Sequence, residues 1–200
     1  MISHKLQFIY IHLNKTGGRS VNEFFNSRNV TSKGEGAYTR RVYNVKGRKW
    51  RVDHRPLIYW ERKYPDLYPT YFKWSTIRNP WDRLVSWWKS RGHELPWKNL
   101  KQYIKNTPEP GGPHPFSQRW FLDSKGEMGL DFIAKLENIE EDFKYVCSKI
   151  DMPYEKLVHI GKSHIKGGPP YWKYYDEESK NIVYERNKDI IERFSYEFGK

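Results

Sequence analysis

The chain has 200 residues, enough for one domain with a substantial core and short for two. Its 37% hydrophobic and 17% aromatic content excludes a disordered chain, and a formal charge of +12 points to polyanionic partners: nucleic acids, anionic lipid surfaces, phosphorylated cofactors or acidic glycans. A single cysteine, Cys147, excludes an internal disulfide and any multi-cysteine zinc site.

Leu6 to Leu13 alternates aromatic and aliphatic residues and reads as a buried strand. The polar, glycine-containing turn Asn14 to Ser20 follows, and then Val21, Phe24 and Phe25 recur at helical spacing. Strand, tight loop and helix in this order open a phosphate-binding α/β fold. Asn26 to Gly36 is a polar connection, and Thr39 to Asp53 predicts two short strands around a turn at Lys46-Gly47. Pro56 to Tyr64 reads as a helix closed by Pro65. Tyr71 to Ile77 is a second strand, rich in aromatic and β-branched residues. It stops at Arg78-Asn79-Pro80, where Asn79 suits a helix cap and Pro80 its first turn. Leu84, Val85, Trp87 and Trp88 supply that helix's apolar face. Pro108 to Pro115 is a proline-rich loop and Asp131 to Leu136 a short strand. Glu137 to Ile150 predicts a helix, with Cys147 as core filler. Gly161 to Tyr171 is another Gly/Pro loop, and Asp176 to Phe194 a final amphipathic helix. The expectation is a single α/β domain over residues 1–200, with a central, mostly parallel sheet flanked by helices.

His12-Leu13-Asn14-Lys15-Thr16-Gly17-Gly18-Arg19-Ser20 is the most informative segment. A loop from strand to helix aims backbone N–H groups and the positive end of the helix dipole at one spot. Gly17 and Gly18 let the backbone approach an anion, Lys15 adds a positive charge, and Thr16 and Ser20 add hydroxyl donors. The competing reading is an ordinary glycine turn. The nucleoside-triphosphate P-loop does not fit, because it needs G-x-x-x-x-G-K-[ST] and here Lys15 precedes the glycines.

His12 to Ser20 resembles the 5'-phosphosulfate loop of sulfotransferases that use PAPS (3'-phosphoadenosine 5'-phosphosulfate). The resemblance is to the membrane-type carbohydrate group, which includes heparan sulfate 2-O- and 6-O-sulfotransferases. Their loop typically reads P/Q-K-T-G-G-T-S; this chain has Asn14 at the first of these positions and Arg19 at the second Thr. The resemblance implies a P-loop-kinase-like sulfotransferase fold, with Lys15, Thr16, Gly17, Gly18, Arg19 and Ser20 holding the phosphosulfate. It also implies a strand ending in Arg-(Asp/Asn)-Pro with a Ser eight positions after the Arg, and Arg78 to Ser86 fits. Arg78 is a cation able to grip a phosphate with two parallel bonds, and Ser86 lies about two helical turns on. In the family these positions bind the 3'-phosphate. A third match, Gly161 to Gly168, resembles the late G-K-S-K-G loop with two inserted residues, and assigns Lys166 and Gly167 to the cofactor.

Sulfuryl transfer needs a base for the acceptor proton and a stabilised leaving group, and it requires no metal. Of seven histidines, His54 stands at a strand end between the two cofactor motifs, where the family carries its catalytic histidine. His54 is therefore the expected base, with His114 in reserve. Lys15 serves both the 5'-phosphate and the charge on the leaving oxygen. Acceptor binding falls to the loops around Arg40 to Arg62 and Trp87 to Phe121, whose cations and aromatics suit a glycan or another hydroxyl compound. PAP (3'-phosphoadenosine 5'-phosphate) is the expected product. Two alternatives remain: a nucleotide-dependent phosphotransferase, disfavoured by the lysine's position, and a basic nucleic-acid-binding protein, for which no recognised module is present. No apolar run approaches a membrane span and no signal peptide precedes Leu6, so the chain reads as soluble and cytoplasmic.

Overall fold

The apolar run near the start of the chain becomes a strand with every residue buried. A computed structural model describes residues 1–32, 42–45, 48–51, 54–91, 96–106, 118–160 and 168–200. Its strands are β1 (Ile2–Ser3), β2 (Phe8–Ile11), β3 (Val42–Val45), β4 (Arg48–Arg51), β5 (Phe72–Ile77) and β6 (Phe132–Lys135). One sheet runs β1-β2-β5-β6, and β3 pairs with β4 as a separate antiparallel ribbon. β1 is antiparallel to β2, while β2–β5 and β5–β6 are parallel, with Tyr10 opposite Trp74 and Thr76 opposite Ala134. Parallel pairing sends the carboxyl ends of β2, β5 and β6 to one edge, where α/β sheets bind their ligands.

The helices are α1 (Gly18–Ser27), α2 (Leu57–Lys63), α3 (Pro80–Arg91), α4 (Leu100–Asn106), α5 (Ile139–Lys149), α6 (Glu177–Arg186) and α7 (Lys188–Arg193). Residues group into two compact units, Met1–Ile77 with Arg119–Ile160, and Arg78–Gln118 with Gly161–Lys200. In the first, α1 and α5 press Val21, Phe24, Phe25, Phe143 and Val146 against Phe8, Tyr10 and Trp74. Cys147 belongs to this core, and burial pushes its thiol up to about 11, as suits inert packing. In the second, Trp81, Leu84, Val85 and Trp87 of α3 pack with Leu100, Tyr103 and Ile104 of α4 and with Val183 and Ile191. No described helix is long and apolar enough to cross a membrane.

The helix predicted to start at Asn79-Pro80 does so: Asn79 Oδ1 accepts from Trp81 N at 3.1 Å and, more weakly, from Asp82 N at 3.5 Å. Three details differ from the sequence reading. The helix expected from Glu137 opens as a 3-10 turn over Leu136–Asn138 and becomes α-helical at Ile139. The final helix is broken at Asn187, whose Nδ2 donates to Val183 O at 2.8 Å while its own carbonyl starts α7. β1 and α4 were not anticipated. The turn at Lys46-Gly47, the loop Pro108 to Pro115, and Gly161 to Gly167 lie outside the described residues.

Asp176 heads α6 with a reciprocal capping box, its Oδ1 taking Ser179 N at 2.9 Å and Ser179 Oγ at 2.6 Å. These bonds hold the carboxyl down at about 2 from its ordinary 3.8. A depressed carboxylate stabilises the fold above its unfolded value and loses that contribution as pH falls through the folded value. Asp176→Ala is therefore expected to cost about 1 kcal/mol near neutral pH. In melting curves the gap between variant and parent should close as pH drops from 3.8 towards about 2.

Candidate active site

The segment after β2 turns sharply. Lys15 and Gly17 both have positive φ, +67° and +86°, on either side of Thr16. Backbone of this kind gathers consecutive N–H groups into an anion-binding concavity, and holding a lysine there costs energy that a bound anion can offset. Gly17 is the N-cap of α1; no side chain caps this helix and no acid lies in its first turn. The first-turn amides of Gly18 and Arg19 have no intrahelical acceptor, and the helix dipole adds positive potential at the same point. A ten-residue helix begun this way suits an anionic ligand.

Gly18 is required by close packing and Gly17 chiefly by its left-handed backbone. A Cβ on Gly17 meets Leu136 Cδ1 at 2.7 Å, and one on Gly18 meets the His12 ring at 2.0 Å. Ser20 Oγ accepts from Ile160 N at 3.1 Å, which leaves the hydroxyl proton to donate elsewhere. Arg19 is exposed, so its fixed contribution is its backbone N–H.

Thr16 corrects the expectation of a phosphate-facing hydroxyl. The residue is fully buried, and Oγ1 donates to Leu13 O at 3.0 Å. It also meets Thr76 Oγ1 at 2.9 Å, which in turn meets Tyr10 Oη at 2.7 Å. One proton per link orders the chain as Tyr10 to Thr76 to Thr16 to the Leu13 carbonyl. Burial raises the Tyr10 hydroxyl far above its usual range, so it stays a donor. Thr16 thus ties the loop to the end of β5 and offers an anion only its backbone.

His54 is half-buried, and its Nδ1 lies 2.9 Å from His12 O. A carbonyl only accepts, so the neutral ring carries its proton on Nδ1 and its lone pair on Nε2, the form a general base needs. The rings of His54 and His12 are 4.5 Å apart. Beyond His54, α2 presents a shallow depression of about 350 Å³ lined by Ile58, Tyr59, Arg62 and Lys63. The Arg55 guanidinium sits 4.8 Å from the Tyr59 ring centre, while the one acid of α2, Glu61, is tied to Ser124 N and Oγ at 2.7 Å each.

In the second unit, Arg78 is held by Asp82: Nε donates to Oδ2 at 2.7 Å and Nη2 at 2.6 Å. Those bonds use two of five donors and fix the guanidinium along the α3 face that carries half-buried Ser86 four residues on. Arg83, 4% exposed, is destabilised as a cation by burial and by Arg78 beside it. A bound anion relieves both effects. The sequence reading overlooked Asp82, whose i+4 spacing from Arg78 was the available signal. Lys166, Gly167 and His114 lie outside the described residues.

A parallel α/β sheet with an uncapped, glycine-opened helix after its first parallel strand is an arrangement suited to binding a phosphorylated ligand. The family model described as the sulfotransferase family matches residues 1–197, and the chain belongs to that family. It is a sulfotransferase, of a family that generally uses PAPS as sulfate donor. No match was found among curated proteins or among solved structures.

Proposed function

We propose that the chain transfers the sulfuryl group of PAPS to a hydroxyl of an acidic carbohydrate, with His54 as base. PAPS supplies an activated sulfuryl group, whose transfer demands an acceptor oxygen stripped of its proton and a leaving phosphate held as charge grows on it. His54 Nε2 takes the acceptor proton. Lys15, the N–H groups of Thr16 to Arg19, and the Ser20 hydroxyl hold the phosphosulfate, with Lys15 also serving the leaving oxygen. Arg78 and Ser86 take the 3'-phosphate. Lys166 and Gly167 follow the resemblance as further cofactor residues.

The observation that carries this reading is the histidine with Nδ1 committed to a carbonyl, within ring contact of the strand end that leads into an uncapped anion loop. The acceptor class rests on α2: Arg55, Arg62 and Lys63 gather beside Tyr59, and that mixture suits a sugar bearing carboxylate or sulfate.

Calorimetric titration with PAP tests the cofactor. The parent protein is expected to bind in the micromolar range, and Arg78→Ala to weaken binding by about 2–3 kcal/mol, the worth of charge-assisted bonds to one phosphate. A folded parent that ignores PAP sinks the proposal. On the acceptor side, Arg62→Ala is expected to raise KM for desulfated heparan about tenfold without changing PAP affinity.

A further inference from the structure

We propose that His12 is a positioning residue for the base, held by Asn22 and acting on His54; the inference rests on the reading of His54 above. Three contacts meet at this residue, one through its backbone and two through its ring. Its carbonyl accepts the Nδ1 proton of His54 at 2.9 Å. Its ring packs 4.5 Å from the His54 ring, at an interplanar angle of 42°. Its Cδ2–Nε2 edge fills the space a Gly18 side chain needs: a Cβ there falls 2.0 Å from Cδ2 and 2.2 Å from Nε2. His12, only 5% exposed, is thus the spacer between the base and the first residue of α1, whose amide belongs to the anion loop.

Asn22 supplies the independent observation. It lies on the buried face of α1 at 1% exposure, with Nδ2 at 3.3 Å from His12 Nδ1. Its Oδ1 is buried with no partner among the described residues. An apolar residue at this helix position avoids that orphaned oxygen. Among the described residues the amide has one side-chain bond to account for its presence, and that bond goes to His12. Because Asn22 Nδ2 donates, His12 Nδ1 is an acceptor, and the His12 proton sits on Nε2. The two neighbouring imidazoles therefore carry opposite tautomers, His12 protonated on Nε2 and His54 on Nδ1. His12 touches neither reactant in this scheme; it sets where His54 stands and which nitrogen is basic.

The test is long-range ¹H–¹⁵N correlation NMR of the imidazoles at a pH of about 8, where ordinary histidines are neutral. The parent should show His54 as the single Nδ1–H tautomer and His12 as Nε2–H. Asn22→Leu and His12→Ala should each turn His54 into a tautomer mixture and lower turnover on desulfated heparan about tenfold, while PAP affinity is unchanged. A purely structural role would instead lower melting temperature and PAP affinity together. His54 on Nε2–H in the parent, or a pure Nδ1–H form surviving in a folded variant, overturns the proposal. The parent spectrum decides even if neither variant folds. Full activity in His54→Ala removes the base reading but leaves the tautomer measurement intact, so the two failures are distinguishable.

Discussion

Gly18→Ala is expected to weaken PAP binding at least about tenfold and to destabilise the fold by about 1–3 kcal/mol, the usual cost of overpacking. The added methyl falls 2.0 Å from a ring that cannot retreat. His12 is flanked by Tyr10 at 6.0 Å, by His54 at 4.5 Å and by Asn22. Either the ring moves, taking His54 with it, or the first turn of α1 moves, carrying the anion-binding amides out of place. Gly17→Ala presents a different balance. Its left-handed backbone costs a non-glycine residue about 1–2 kcal/mol, but the clash is with Leu136 Cδ1, the mobile end of a flexible side chain. Calorimetry with PAP and denaturant melts on both variants give the ranking. Gly18→Ala should lose more affinity than Gly17→Ala, and the reverse order would mean that the His12 ring is not confined.

How much of this was legible in the sequence depended on the range of the interactions. The strand–loop–helix unit, the Asn79-Pro80 helix start and the core position of Cys147 follow from neighbours a few residues apart, and the sequence reading placed them. α4 carried such a signal unread: Leu100, Tyr103 and Ile104 recur at helical spacing, and Asn99 Oδ1 takes Gln102 N at 3.0 Å as a cap. β1 is two residues long and is defined by its pairing across the sheet, Ile2 with Ile9 and Ser3 with Phe8. Thr16 went wrong for a deeper reason. Its hydroxyl is claimed by Thr76, sixty residues away, and no local pattern distinguishes an inward from an outward threonine in a glycine loop. His12 was visible as the first residue of the motif, two positions after Tyr10 on the same strand face, yet its contact with Gly18 appears only once the loop has turned back. Arg78 stands out in the sequence as a cation at the strand end, and Asp82, which holds its guanidinium, carried an i+4 signal that went unread.

His54→Ala is expected to lower kcat by about 10²–10⁴, the usual contribution of a general base, with PAP affinity unchanged. Alanine alone does not isolate proton transfer, because it also removes the bond to the His12 carbonyl. His54→Asn separates the two functions. The asparagine amide can donate to that carbonyl from the position Nδ1 now holds, so the strand end keeps its tie, but no basic nitrogen remains where Nε2 stood. If His54 takes the acceptor proton, both variants should fall to the same low rate of sulfuryl transfer from radiolabelled PAPS to desulfated heparan. Recovery of most activity in His54→Asn would instead make the hydrogen bond to His12 the whole contribution of this residue. The base would then have to come from elsewhere in the chain.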